Sequence, residues 1–287
     1  MKTLIIDGNN LIHRTYHTAK LQEKRYKGGN TNGLHVYFTI NAIYSYVKRF
    51  LPQQTYIVWD EKIEYQVNRR KEIQESYKGN RKGDKSPHEN NEDIKDICNS
   101  LGIKSIFPRE LEADDIVAYI CKETEGKKVI ISVDRDFLQL INEDVTLFDP
   151  IRKRYFEFTN FEKTTGFKDV KTWFTAKCLT GDKSDNVPGI PKFGKVRVQR
   201  YLDGEIELDE TQQSIFESNN NIFRLNLYDD FKNEKNYYES QLETPELGDY
   251  DEFLKLVEKF NMVNIMNRKD HWYDTFFLKS FLNYMYD

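Results

Sequence analysis

Val129-Ile130-Ile131-Ser132-Val133-Asp134-Arg135-Asp136 sets a short, mostly β-branched apolar run directly before two acids spaced two apart. Near-continuous apolarity over four or five residues predicts a strand buried on both faces. The same pattern recurs in Leu4-Ile5-Ile6 before Asp7, Tyr56-Ile57-Val58-Trp59 before Asp60, and Val145-Thr146-Leu147-Phe148 before Asp149. Between these runs, helical periodicity covers Leu34 to Phe50 and Asp114 to Glu123. Alternation of strand and helix predicts an α/β fold with a central, mostly parallel sheet flanked by helices. Open parallel sheets hold their ligand crevice at the carboxyl ends of the strands, where all four aspartates fall. A single Asp in that position is ordinarily a turn former or helix N-cap. Four of them suggest a shared crevice, although Asp149, followed by Pro150, also reads as a turn residue.

Two more acidic groups extend the pattern. Glu112-Ala113-Asp114-Asp115 opens the helix that begins with Ile116, where the helix dipole favours acids in any case. Gly181-Asp182-Lys183-Ser184-Asp185-Asn186 again spaces two acids three apart. With Asp7, Asp60, Asp134 and Asp136, nine carboxylates are candidates for one pocket. Two carboxylates about 4 Å apart repel by roughly 4 kcal/mol at an effective dielectric near 20, so such a pocket requires protons or cations. An all-oxygen donor set without His or Cys suits magnesium or manganese rather than zinc. Two such ions form a known clamp for phosphodiester hydrolysis.

Charge is divided unevenly along the 287 residues. Residues 1–202 carry 35 Lys and Arg against 28 Asp and Glu, whereas 203–287 carry 8 against 19. Bases concentrate at Arg69, Arg70, Lys71, Lys78, Arg81, Lys82 and Lys85, and again at Lys192, Lys195, Arg197 and Arg200. Each run alone reads as a solvated helix face. Beside an acidic pocket, the two together predict a polyanion-binding surface. With 38% hydrophobic and 14% aromatic residues the chain can build a real core. No apolar run approaches the roughly 20 residues of a membrane span, and Asp7 interrupts the N-terminal run before it could serve as a secretion signal. The three cysteines, Cys98, Cys121 and Cys178, are sparse and odd in number, which predicts a reducing, cytoplasmic setting and no disulfide framework.

Val187-Pro188-Gly189-Ile190-Pro191-Lys192-Phe193-Gly194-Lys195 follows the last acids immediately. Its glycines and prolines predict a tight turn between two helices, the second starting near Gly194. The free N–H groups of such a helix start can hold a backbone phosphate without reading sequence.

At this point the chain resembles the structure-specific 5′-nuclease family, which includes flap endonucleases, phage ribonuclease H and the 5′-nuclease domain of bacterial DNA polymerase I. The matching pieces stand in the family's order: IIDGNN (Asp7), VWD (Asp60), SYKGNRK (Tyr77 to Lys82), ELEADD (Glu112, Asp114, Asp115), SVDRD (Asp134, Asp136) and GDKSDNVPGIPKFG (Asp182, Asp185 and the hairpin). The resemblance implies a PIN-like α/β nuclease domain over 1–180, with a helical arch at about 61–100. A helix–hairpin–helix and C-terminal helical region over 181–287 completes the implied layout. It implies a two-metal phosphodiesterase acting near 5′ ends of branched or nicked DNA and RNA–DNA hybrids. One ion lies toward Asp7, Asp60, Glu112 and Asp114, the other toward Asp136, Asp182 and Asp185, with Asp134 between. Asp115 completes the family's nine acids. Lys78 and Arg81 match bases that neutralise the reacting phosphate, and Tyr77 an aromatic on which a base stacks, its alternative being an ordinary core aromatic. Arg70 and Lys82 match further arch bases. Gly189, Lys192, Gly194, Lys195 and Arg197 match the hairpin's grip on duplex DNA, with a potassium-type ion held by carbonyls at the turn; Phe193 departs from the smaller aliphatic residue usual there. A monomer is expected, in host cytoplasm for a phage-encoded member.

The sequence also admits other readings. His13 and His17 could share a helix face as zinc ligands, but the sequence offers no third ligand. The glycines lack nucleotide-binding spacing. The acidic segment 203–287 is expected to pack under the hairpin, with a docking site for a single-strand-binding protein or sliding clamp as the alternative. The rival functions are a non-catalytic branched-DNA binder and a PIN-type ribonuclease.

Overall fold

The computed structural model describes residues 1–25, 31–60, 69–79, 86–109, 111–225, 232–243 and 247–278. β1 (Lys2–Asp7) runs straight into α1 (Gly8–Arg25), and α2 (Thr31–Phe50) leads to β2 (Gln54–Val58). α3 (Arg69–Ile73), a 3₁₀ turn (Ser86–His88) and α4 (Asn91–Ser100) precede β3 (Lys104–Ile106). α5 (Ala113–Glu123) leads to β4 (Lys127–Ile131), a 3₁₀ turn (Asp136–Leu140), β5 (Val145–Asp149) and β6 (Arg154–Phe156). Then come α6 (Phe161–Thr165), α7 (Val170–Thr180), the two-residue strands β7 (Gly181–Asp182) and β8 (Val187–Pro188), and α8 (Lys195–Leu202). The chain continues through α9 (Glu210–Phe223), α10 (Lys232–Glu243), α11 (Tyr250–Lys259), α12 (Val263–Met266) and α13 (Lys269–Tyr273).

The sheet has the order β3-β2-β1-β4-β5-β6, parallel except for β6. Four strands fall where the apolar runs put them. β3 and β6 were not foreseen: each is three residues long, too short for a hydrophobic period, and each includes a base, Lys104 or Arg154. Alternate residues serve opposite faces. Leu4, Ile6, Ile57, Val129 and Ile131 enter one core with α1, α2, α4 and α11, and Ile5, Tyr56, Val58 and Ile130 enter the other with α5. β1 and β4 lie side by side at the point where the strand order reverses, the natural crevice of such a sheet. Gly8 is required at the mouth of that crevice, because a Cβ there would stand 2.7 Å from the carbonyl oxygen of Val58.

The C-terminal segment departs from expectation. α9 does pack under the hairpin, through Ile215 and Phe216 beside Ile190 and Phe193. Phe253, Leu256, Val257, Ile265 and Trp272 instead belong to the core on the α1–α2 face of the main sheet, and Tyr238 to the opposite core. Aromatic stacking of Trp272 with Tyr44, at 4.4 Å between centroids, seals that first contact. Among the described residues, no helix is long and apolar enough to cross a membrane.

Candidate active site

The register of the sheet builds the site. Ile6 pairs with Ile57 and with Ile131, so the residues just beyond, Asp7, Asp60 and Ser132 to Asp134, emerge side by side at the strand ends. Asp7 accepts from the Asn10 N–H at 3.0 Å and from Ser132 Oγ at 2.6 Å. Its neighbour Asp134 accepts from the Asp136 N–H at 2.8 Å. α5 brings Glu112 and Asp114 to the same mouth. The result is a cavity of about 270 Å³ lined by seven carboxylates (Asp7, Asp60, Glu112, Asp114, Asp134, Asp136, Asp185) together with Asn9, Asn10, His13 and Lys78.

The charges in it are uncomfortable. Burial, with added repulsion from Asp134 and Asp60, pushes the Asp7 carboxyl up to about 6. Burial and Asp134 drive Asp114 well above the usual carboxylate range. Asp136 is raised as well, burial outweighing the Lys177 ammonium beside it. Glu112 goes the other way: burial disfavours its charge, but Lys78 and Arg70 hold it below its ordinary value. Hard-oxygen donors that burial is forcing toward protonation are the donor set a divalent cation relieves. Among the described residues, however, no three carboxylates stand gathered as a ready-made ion site. Two lysines hold three of the acids. Lys78 Nζ donates to Glu112 Oε2 at 2.9 Å, and Lys177 Nζ donates to Asp136 Oδ1 and, at 3.3 Å, to Asp182 Oδ2.

Lys78 is in a left-handed backbone conformation, φ 53°, unusual outside glycine and costly enough to mark a constrained position. Its N–H donates to the Asp185 carbonyl at 2.8 Å, tying the Tyr77–Lys78 turn to the loop after β7. Burial opposes its charge, yet Glu112 keeps its ammonium protonated far beyond the usual range.

Four expected site residues land elsewhere. Asp115 is fully buried and does not line the cavity: its carboxylate is held by the Arg70 guanidinium through two bonds of 2.6 and 2.8 Å. Arg70, 2% exposed, is therefore an internal partner and no surface contact for DNA; it also donates to the carbonyls of Ile222 and Arg224. Tyr77, 3% exposed, packs with Cys178, Val187, Ile222 and Phe223 and donates to Glu112. Its ring is the core aromatic of the alternative reading, with no free face for a base. Asp182 stands outside the cavity, where Ser184 caps it and, with Lys177, holds it below its usual range against the effect of burial. Arg81 and Lys82 lie outside the described residues, as do 61–68 and 80–85 of the 61–100 arch.

The hairpin forms as the turn residues predict. Ile190 donates to the Leu179 carbonyl at 2.8 Å, and α8 starts at Lys195 with Gly194 as its N-cap. Gly189 serves packing: a Cβ would meet the Thr180 carbonyl at 2.2 Å. Gly194 faces open space, and Lys192 and Lys195 are exposed. Arg197 lies over the Phe193 ring at 4.5 Å, and Phe193 is buried in the hairpin's own core. His13 meets His88, at 3.2 Å between ring nitrogens, rather than His17. Asp149 caps its own turn through the N–H groups of Ile151 and Arg152. The sequence reading missed Ser132, Asn9, Asn10 and Lys177. Only Lys177 carried any signal, a base five residues before Asp182 near the end of the helix that leads into the acidic loop.

A family model described as the 5′-3′ exonuclease N-terminal resolvase-like domain matches residues 2–169. The 5′-3′ exonuclease of Aquifex aeolicus is 32% identical over 199 residues, covering 68% of this chain and 66% of that protein. DNA polymerase I of Mycobacterium tuberculosis is 29% identical over 212 residues, and the match spans only 22% of that much longer protein. In fold, the chain is similar to the T5 D15 protein co-crystallised with metal ions, with a TM-score of 0.62 at 19% identity over 92% of this chain and 99% of that one. It is also similar to flap endonuclease-1 from Methanococcus jannaschii, with a TM-score of 0.58 at 14% identity over 98% of this chain and 93% of that one.

Proposed function

The chain belongs to the 5′-3′ exonuclease family, and from that premise we propose that it is a divalent-metal-dependent 5′-nuclease. It hydrolyses phosphodiester bonds near 5′ ends of branched or nicked DNA and of RNA–DNA hybrids. The observation that carries this reading is the cavity where seven carboxylates and Lys78 meet at the carboxyl ends of β1, β2 and β4. Asp7, Asp60, Glu112 and Asp114 would hold one magnesium or manganese ion, and Asp136 and Asp185, with Asp182 nearby, the other, Asp134 lying between the two. Bound there, the ions lower the pKa of water and polarise the phosphoryl oxygens.

The protein's own groups do the rest. Lys78 reaches the cavity from a strained turn anchored on Asp185, so its ammonium is placed to offset charge on a phosphate without first being ordered. Lys192 and Lys195 offer exposed charge along the backbone behind the cut, and the start of α8 offers N–H groups to a phosphate. A potassium-type ion at that hairpin turn belongs to the same proposal.

Labelled 5′-flap, nicked duplex, RNA–DNA hybrid and single-stranded RNA, each with magnesium, separate the readings. We expect cleavage of the 5′-ended duplex substrates, leaving single-stranded RNA intact. Cutting of the RNA alone would favour a PIN-type ribonuclease, and binding without cutting a structural DNA binder. On the same flap, Lys78→Ala is expected to lower kcat by on the order of 10²-fold with KM little changed. A change confined to KM would make Lys78 a simple DNA grip.

The raised carboxyls also set a pH signature. Asp7 keeps its proton in the fold up to about 6, whereas the unfolded chain releases it near 3.8. Without divalent cation, stability from this group is greatest below 3.8 and is lost as pH rises through about 6, up to about 3 kcal/mol for this one group. A cation needs the ionised form, so protons compete with it. Magnesium is therefore expected to raise Tm more at pH 7.5 than at pH 5, as differential scanning calorimetry with and without chelator would read. Equal gains at both values would contradict the assignment.

A further inference from the structure

We infer that Lys177 is a resident counter-ion which holds Asp136 and Asp182 in place and which a divalent cation arriving at Asp136 has to displace. The inference rests on the metal-nuclease reading above and extends it to a residue outside the acid pattern. Lys177 sits near the end of α7, directly before Gly181 and Asp182, so its backbone is fixed by the helix that leads into the acidic loop. Its side chain is 10% exposed. Its ammonium stands over the Phe223 ring, 4.7 Å from the centroid.

From there one ammonium bridges two carboxylates on different elements: Asp136 on the 3₁₀ turn after β4, and Asp182 in β7. Asp136 lines the cavity and Asp182 does not. Lys177 therefore stands at the boundary, already engaging one carboxylate oxygen of a residue that lines the cavity. The electrostatics is simple. Asp134 and Asp185 both repel Asp136, and a positive charge is needed on that side until an ion supplies it. A lysine serves this purpose better than an arginine fork, being a single point charge on a flexible stem that can withdraw when replaced.

The consequence runs opposite to an ordinary structural lysine. Removing its charge makes the cation site more negative and takes away its competitor. Lys177→Met is expected to tighten manganese binding at the weaker of two sites by roughly tenfold, since an opposite charge at this range changes a carboxylate's proton affinity by about one to three pKa units. Calorimetric titration of the full chain with manganese, and the electron paramagnetic resonance signal of free manganese, both read this without reference to cleavage. Lys177→Arg keeps the charge as a fork that withdraws less readily, and is expected to bind manganese no more tightly than the unaltered protein does. In chelator, Lys177→Met is expected to melt lower, with a larger Tm gain on adding manganese; near-UV circular dichroism checks that it is folded. A purely structural role would lower Tm and leave the affinity unchanged, and that result, or weaker binding, overturns the inference while the metal reading stands. If the unaltered chain takes up no manganese, or Asp134→Asn takes up as much as it does, the metal reading itself falls and this inference with it.

Discussion

Asp134→Asn is expected to reduce cleavage of a 5′-flap by at least on the order of 10²–10³-fold, because it removes a carboxylate proposed to hold the cation that stabilises charge on the phosphate, and losing one preorganised stabiliser of that charge costs this much. Asp134 repels three of the other acids of the cavity. Its charge bears on Asp7, Asp114 and Asp136, three groups contributed by three different elements. It is fixed by its own N–H bond to Ser132 Oγ at 3.0 Å and by the Asp136 N–H, so the amide replacement keeps its shape and neighbours. Binding of branched DNA in chelator is expected to persist, because the exposed bases of the hairpin are untouched. Stability in chelator is expected to hold or rise, because a repelling charge has been removed from a buried set. That combination of lost turnover, retained affinity and an undiminished Tm separates loss of chemistry from loss of fold. Single-turnover cleavage equal to that of the unaltered chain would reject the site.

The second large effect concerns stability. Arg70→Met is expected to destabilise the fold by about 3–5 kcal/mol, the cost of stranding a buried charge. Arg70 and Asp115 have side chains 3% and 0% exposed and are joined by two charge-assisted bonds. The guanidinium also takes the carbonyls of Ile222 and Arg224, so it closes α9 against the start of α5. Removing it leaves the buried Asp115 carboxyl and two carbonyls without the donor they share. The double variant Arg70→Met with Asp115→Leu is expected to recover much of the loss, since replacing both partners of a buried pair by apolar groups is often neutral. Urea denaturation of the three proteins reads the coupling. A single-variant loss below about 1 kcal/mol, with a fall in DNA affinity instead, would return Arg70 to the DNA surface.

These two cases show what was legible in the sequence. Asp134 and its companions announced themselves because a buried parallel strand is an apolar run, and an acid at its end breaks the run visibly. Arg70 did not, because a base among bases gives no sign of which side of the chain it faces. Tyr77 was ambiguous for the same reason: a ring beside lysines can stack on a base or fill a core, and Cys178, Val187, Ile222 and Phe223, all more than 90 residues away, decide it. The edge strands β3 and β6 escaped because three residues carry too little period to read.

By itself the amino-acid sequence determined the parallel α/β sheet, the carboxylates at its strand ends and the hairpin after Gly181. All three are written locally, in runs of apolar side chains, in the acids that interrupt them, and in glycine and proline. Only the tertiary structure decided which acids share a cavity, that Asp115 and Arg70 neutralise each other inside the protein, and that Lys177 stands between Asp136 and Asp182. Ion pairs across 41 or 45 residues depend on how helices lie against a sheet, and no local pattern encodes that distance.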